Sequence, residues 1–165
     1  GSDLMRSMLF VPGDRPERFG KAAASGADAV ILDLEDAVVP ERRPYARVEI
    51  TQWLASAERP VPVWVRINAV ETDDALPDLA AVIEGRPDGI VLPKARDAAD
   101  VRRADHWLEA LEAGAGLPRG GIGLLPLITE SAGALVNATS VTSPPARVIG
   151  LTWGAEDLAA DVGAS

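Results

Sequence analysis

Six short apolar runs, MLFVPGDR, AVILDLED, PVWVRIN, GIVLPK, GLLPLITE and VIGLTWGAED, each end in polar or charged residues, and all but the last lead into a stretch with helical character. That order predicts parallel strands whose carboxyl ends open on one shared mouth. The mouth gathers Arg66, Lys94, Glu35, Asp36, Glu130 and Asp157. Residues of this kind at one rim suit an enzyme that holds a cation against an anionic substrate.

The first strand reads from Ser7 to Val11 and is closed by Pro12-Gly13, with Asp14 placed to cap a helix through Arg18 to Ser25. Further strands read at Ala29 to Leu34, Val61 to Ile67, Gly89 to Leu92, Gly121 to Ile128 and Arg147 to Leu151. Helices read at Arg43 to Ser56, Asp73 to Glu84, Asp97 to Ala113 and Glu130 to Ala138. The βα unit recurs roughly every 25 to 30 residues, which is the unit of a (β/α)8 TIM barrel of roughly 250 residues. An open doubly wound sheet would carry a glycine-rich phosphate loop in its first βα turn, and PGDRPER has no GxGxxG.

The expectation is therefore an α/β chain, residues 1–165 as one TIM-barrel domain, with about six βα units present and two absent. An open six-stranded barrel would leave two strand edges bare. The sequence thus reads as the N-terminal portion of a longer polypeptide. With 47% hydrophobic residues, its composition supports a packed core and argues against disorder.

Acidic residues outnumber basic ones 25 to 16, for a formal net charge of −9, which argues against a basic nucleic-acid surface. With no cysteine, the chain can have neither disulfides, thiolate metal sites nor a cysteine nucleophile. No apolar run approaches the roughly 20 residues of a membrane span, and no signal-peptide pattern is present. The expected compartment is the cytoplasm.

Glu130 directly follows GLLPLIT, and Asp157 lies a few residues after VIGL. Neighbouring strand ends lie about 5 Å apart, so two such carboxylates can converge on one ion. An oxygen-only pair suits Mg2+ or Mn2+ better than zinc. Either acid alone also fits a helix cap; what favours a metal is their joint position at successive strand ends. In VWVRIN, alternation sets Val63, Val65 and Ile67 against the helices and turns Trp64, Arg66 and Asn68 inward. An inward Arg66 can take a carboxylate or steady an enolate oxygen, or it can simply neutralise barrel acids.

Asp33 and Glu35 share a face of AVILDLED with Asp36 just beyond, and acids in an apolar run need partners such as Arg66, Lys94 or Arg6. Lys94 reads as an electrostatic group facing Glu35 in preference to a Schiff-base lysine. His106, the only histidine, reads as a surface or packing residue of a helix. Trp53, Trp107 and Met8 read as packing, and the pairs Arg42-Arg43 and Arg102-Arg103 as solvated helix faces.

The ordered motifs RSMLFVPGDRPERF, ILDLEDAV, VRIN, VLPK, LITESAGAL and GAEDLAADVG resemble the citrate lyase beta-subunit-like group of the HpcH/HpaI aldolase superfamily over nearly the whole chain. The resemblance implies a Mg2+-dependent (β/α)8 lyase that makes or breaks a carbon–carbon bond beside a carboxylate. Its substrates would be a 2-oxo acid or a hydroxy-acyl thioester such as citryl-CoA or malyl-CoA, with an acyl-CoA or acyl-carrier partner and a trimeric or hexameric homo-oligomer.

The family's metal ligands fall on Glu130 and Asp157, and its substrate arginine falls on Arg66. Arg6 and Phe10 fall near the substrate or thioester. Glu35, Asp36 and Lys94 match motifs around the mouth, with Glu35 or Asp36 suited to orienting water for proton transfer. Typical members are longer, and their C-terminal site residues have no match here. Two other readings fit the same residues: a subunit that needs partner chains of a citrate lyase-like complex, and a catalytically incomplete fragment.

Overall fold

The computed structural model describes residues 7–129 and 144–150. Strands β1 (Met8–Pro12), β2 (Ala29–Asp33), β3 (Val63–Arg66), β4 (Gly89–Ala95) and β5 (Gly123–Ile128) alternate with helices α1 (Phe19–Ala23), α2 (Arg43–Ser56), α3 (Ala75–Val82) and α4 (Ala98–Ala115). Every strand pairs in parallel with the next in chain order, giving one sheet β1-β2-β3-β4-β5. This is the β/α order of a barrel wall. The sixth expected strand is reduced among the described residues to a single parallel bridge between Leu124 and Val148. The helix expected over Glu130 to Ala138 lies outside the described residues.

Strand alternation divides the apolar residues between two cores. Val30, Leu32, Val63, Val65, Ile90, Leu92 and Leu124 pack outward against Phe19, Ile50, Leu54, Leu79 and Leu108 of the helices. Ala29, Ile31, Trp64, Val91 and Leu125 pack inward with Met8, flanked by Phe10 and Leu127. Both faces of β2 are fully buried, as expected for a strand walled by helices on one side and barrel interior on the other. Each large outer-core side chain, such as Ile50 or Leu108, contributes about 1.5–3 kcal/mol by leaving water.

Inside the wall, Trp64 is matched by two residues without side chains. Trp64 pairs in register with Gly89, and Gly89 with Gly123. A Cβ on Gly89 would lie 2.2 Å from Trp64 Cζ3, and one on Gly123 would lie 2.9 Å from Trp64 Cη2. The glycines thus make the space that the indole fills across three strands.

Helix ends follow local chemistry, with one correction. Asp97 caps α4 by accepting from the Asp100 N–H at 3.0 Å, and Gly116 ends the helix in the left-handed region at φ 70°. Asp14 makes no such cap. The α1 segment begins through a 3-10 turn at Pro16–Arg18, and Asp14 instead receives Arg42 Nε at 2.6 Å. Arg42 also lies 4.8 Å from the Tyr45 ring centre.

Arg43 departs from the expected solvated face. It is largely buried and donates to Leu34 O, Glu35 O and Asp74 Oδ2. Trp53 packs edge-on against Phe19, and Arg103 lies over Trp107, both as packing residues. No helix among the described residues is long and apolar enough to cross a membrane.

At the opposite end of the strands from the mouth, Arg147 is stapled into the wall. Its guanidinium donates to both carboxylate oxygens of Glu112 (2.7 and 2.8 Å), to Asp105 Oδ1 (2.6 Å) and to Ile122 O (3.0 Å). The side chains of Arg147 and Glu112 are 1% and 0% exposed. Glu112 also accepts the N–H groups of Gly120 and Ile122, so its buried carboxylate receives four N–H donors.

Candidate active site at the strand ends

The register brings the carboxyl ends of β1, β2 and β3 level, with Pro12 opposite Asp33 and Asp33 opposite Arg66. Arg66 closes β3 and forks onto Asp33, with Nε donating to Oδ1 at 2.7 Å and Nη2 to Oδ2 at 2.8 Å. One face of its guanidinium lies 4.7 Å from the centre of the Phe10 ring, a cation–π arrangement. The Oε1 of Glu35 stands 3.6 Å from Arg66 Nε. Burial alone would lower the pKa of Arg66, but the hydrogen bond and charge of Asp33 outweigh it, so the guanidinium stays charged.

Lys94 reaches the same group from β4. Its Nζ lies 3.1 Å from Glu35 Oε2 and 4.0 Å from Asp36 Oδ1. A register irregularity between Leu92 and Ala95 turns the strand at this point, and Lys94 sits at φ 54°. A residue with a Cβ adopts that conformation at a cost of about 1–2 kcal/mol. The bulge is the device that re-aims the ammonium over the rim.

Glu35 is buried, and that burial pushes its carboxyl above the usual range; the hydrogen bond from Lys94 and the charge of Arg66 pull it back only in part. Lys94 is 60% exposed, and its pKa is raised by the bond to Glu35. Asp36 stands exposed at the rim.

Of the residues singled out from sequence, the structure brings Arg66, Phe10, Glu35, Asp36 and Lys94 to one mouth. Arg6, Glu130 and Asp157 lie outside the described residues. Asn68, expected to face inward, instead donates through Nδ2 to Leu34 O and to Asp78 Oδ2 beneath α3. β3 ends at Arg66, so alternation no longer governs Asn68.

Two residues do more here than the sequence suggested. Asp33 links Arg66 to the backbone of the following loop, and Arg43 ties down the carbonyls of that loop from outside. The signal for Asp33 was an acid inside an apolar strand; for Arg43 there was none, because its partners lie 8, 9 and 31 positions away.

The donor chemistry bears on a divalent cation. Among the described mouth acids, Asp33 is taken by Arg66 and Glu35 by Lys94, so neither offers an open carboxylate pair. The Thr129 N–H donates to Ala95 O at 3.1 Å, which carries the chain to the rim beside Lys94, one position before Glu130. Glu130 and Asp157 would be oxygen donors, in a chain with no cysteine and with its one histidine exposed on α4. That donor set fits a hard ion such as Mg2+. Asp105, His106 and Glu109 also lie close together, but on the outer helix, with Asp105 paired to Arg147 and Glu109 to Arg119.

The family model for HpcH/HpaI aldolase/citrate lyase matches residues 6–165. The chain belongs to this family. A citrate lyase subunit beta-like protein of Mycobacterium tuberculosis is 41% identical over 95% of the chain and 50% of its own length. The L-malyl-CoA/beta-methylmalyl-CoA lyase of Rhodobacter capsulatus is 36% identical over 97% of the chain and 51% of its own length. The chain thus spans about half the length of these HpcH/HpaI relatives.

Among solved structures, protein CitE of M. tuberculosis with magnesium and acetate superposes with a TM-score of 0.69 at 36% identity, over 99% of this chain and 60% of that one. The M. tuberculosis citrate lyase beta subunit with oxaloacetate and magnesium gives a TM-score of 0.67 at 37% identity, covering 99% and 65%. A Haloferax volcanii malate synthase, at 19% identity and a TM-score of 0.72, shares the fold.

Proposed function

We propose that this chain carries the N-terminal part of the active site of a Mg2+-dependent carbon–carbon lyase of aldol or Claisen type. The substrate class is a hydroxy-acyl thioester such as citryl-CoA or malyl-CoA, or a free 2-oxo acid in the reverse sense. The observation that carries this reading is Arg66, half-buried at a strand end, charged and held by Asp33, in a chain of the HpcH/HpaI family. Support for the substrate class comes from relatives named as malyl-CoA lyases and from a CitE structure containing magnesium, acetoacetate and coenzyme A.

Glu130 and Asp157 are the proposed ligands of the ion. When bound, Mg2+ supplies positive charge to the carboxylate and adjacent oxygen of the 2-oxo acid portion. Arg66 offers N–H donors to the enolate oxygen that develops as the bond breaks. In cleavage, the substrate hydroxyl loses its proton and becomes a carbonyl, while the electrons of the broken bond pass to the thioester enolate.

Of the described residues, Glu35 is the acid placed to exchange a proton, with burial raising its pKa and Oε2 steadied by Lys94. Asp36, at the rim, orients water. Phe10 shields one face of Arg66, and Arg6 and Lys94 attract the anionic ends of the substrate. A trimeric or hexameric assembly belongs to the same reading.

The test uses the full-length polypeptide that contains this chain. Mg2+-dependent cleavage of citryl-CoA, L-malyl-CoA and beta-methylmalyl-CoA is expected for at least one thioester, with loss of activity in Glu130→Ala and Asp157→Ala. Normal metal-dependent cleavage in both variants would remove the metal assignment. Cleavage that appears only with a co-purified partner chain would favour a subunit of a multiprotein lyase.

A further inference from the structure

The Asp33 carboxylate is 1% exposed and receives four N–H donors: Arg66 Nε at 2.7 Å, Arg66 Nη2 at 2.8 Å, and the backbone N–H groups of Glu35 and Ala37, each at 2.9 Å. We infer that Asp33 is the positioning residue of this site, presenting Arg66 end-on to the substrate through Nη1 and Nη2 and fixing, with the same carboxylate, the backbone that carries Glu35. The inference rests on the reading that Arg66 contacts substrate.

A guanidinium can grip an anion by its side edge, Nε with Nη2, or by its end, Nη1 with Nη2. The side edge is occupied by Asp33, and Glu35 Oε1 stands 3.6 Å from the same Nε. Phe10 covers one face at 4.7 Å. Among the described residues, no hydrogen-bond partner takes Nη1. The end is therefore the edge that remains for a substrate oxygen.

The four donors also define what Asp33 does not do. An ionised carboxylate has about four lone-pair sites, and all are filled from within the fold. Asp33 therefore acts neither as a metal ligand nor as a base; it acts through Arg66 and Glu35. Because Asp33 and Arg66 face each other in the β2/β3 register, strand pairing sets the direction of the fork.

The experiment compares wild type, Asp33→Asn, Arg66→Ala and the double variant of the full-length protein. It measures oxaloacetate binding in the presence of Mg2+ by calorimetry, cleavage kinetics, and the NMR resonances of the Arg66 side chain. Asp33→Asn keeps the size of the side chain but replaces one acceptor oxygen with a donor facing the guanidinium.

A misplaced Arg66 is expected to lower kcat/KM about 100-fold and to weaken oxaloacetate binding in the same direction. In the Arg66→Ala background the substitution should lose most of its effect, leaving only the smaller part that passes through the backbone carrying Glu35. A merely structural role would instead give the same loss in both backgrounds.

Should Asp33→Asn fail to fold, the wild-type spectra decide. Oxaloacetate should shift the Arg66 Nη signals and leave the Nε–H signal protected and in place; displacement of Nε from Asp33 by the ligand would overturn the inference. A folded Asp33→Asn with unchanged kinetics, beside an inactive Arg66→Ala, would overturn the positioning role and leave the functional reading intact. Unchanged binding and cleavage in Arg66→Ala would sink the functional reading of Arg66, and the inference with it.

Discussion

Gly89→Ala tests the interior packing of the wall. The new methyl carbon would sit 2.2, 2.3 and 2.6 Å from three ring carbons of Trp64. Carbon atoms pack at about 3.5–4.0 Å, so the ring must retreat by more than an ångström. It has little room to do so: Trp64 is 4% exposed, and a Cβ at Gly123 would meet one of the same ring carbons, Cη2, at 2.9 Å.

Overpacking of a tight core costs about 1–3 kcal/mol, and a buried ring laid across two glycine backbones belongs at the upper end, about 3 kcal/mol. Trp64→Leu destabilises on its own by opening a cavity, but it also makes room for the methyl. The double variant Gly89→Ala/Trp64→Leu should therefore be more stable than the sum of the single changes predicts, by about 1–2 kcal/mol. Urea unfolding followed by far-UV circular dichroism on the four proteins measures this directly. Additive losses, or a Gly89→Ala protein within about 0.5 kcal/mol of wild type, would refute the packing argument.

Arg147→Ala removes the only cation bonded to Glu112 among the described residues and should cost about 3–5 kcal/mol in urea unfolding, whereas a loss below about 1 kcal/mol would mean the pair behaves like a surface contact. Burial raises the pKa of Glu112, but Arg147 and the Gly120 and Ile122 N–H groups outweigh it and hold the carboxyl below its usual 4.5. Its stabilisation is therefore complete above that value and is lost as pH falls below it; Glu112→Gln should flatten this acid limb, and an unchanged limb would contradict the assignment.

Lys94→Met should move the Glu35 carboxyl still higher, because the hydrogen bond from Lys94 is the largest influence opposing burial. For this raised acid, stability falls as pH rises from 4.5 through the folded-state value, and the variant widens that window. A 13C titration of the Glu35 carboxyl that matches wild type would disconnect the two groups.

Much of the wall was legible because its signals are local. Apolar runs bounded by Gly, Pro and charge marked the strands, and α2 was read at its observed limits, Arg43–Ser56. Alternation in VWVR correctly separated Trp64 and Arg66 from Val63 and Val65, since period two holds as long as the strand is regular.

The pattern failed where regularity ends. Asn68 lies past the end of β3; Lys94 faces Glu35 as expected, but the bulge that places it there is announced by no periodicity. Asp14 was misread as a cap because an acid before a proline turn satisfies that rule locally, while its partner Arg42 is 28 positions away. Glu112 and Arg147, 35 residues apart, each resemble ordinary solvated charges, and only the closed fold makes them a buried pair.

The loop after β2 is gripped twice, by the Asp33 carboxylate on the N–H groups of Glu35 and Ala37 and by Arg43 on the carbonyls of Leu34 and Glu35. Ordering a residue of backbone costs about 1–2 kcal/mol in conformational entropy. For the segment that carries Glu35, that loss falls on folding and not on the arrival of a ligand. Affinity at this edge of the mouth is thus decoupled from loop closure, and its temperature dependence should reflect desolvation and charge with little contribution from chain ordering.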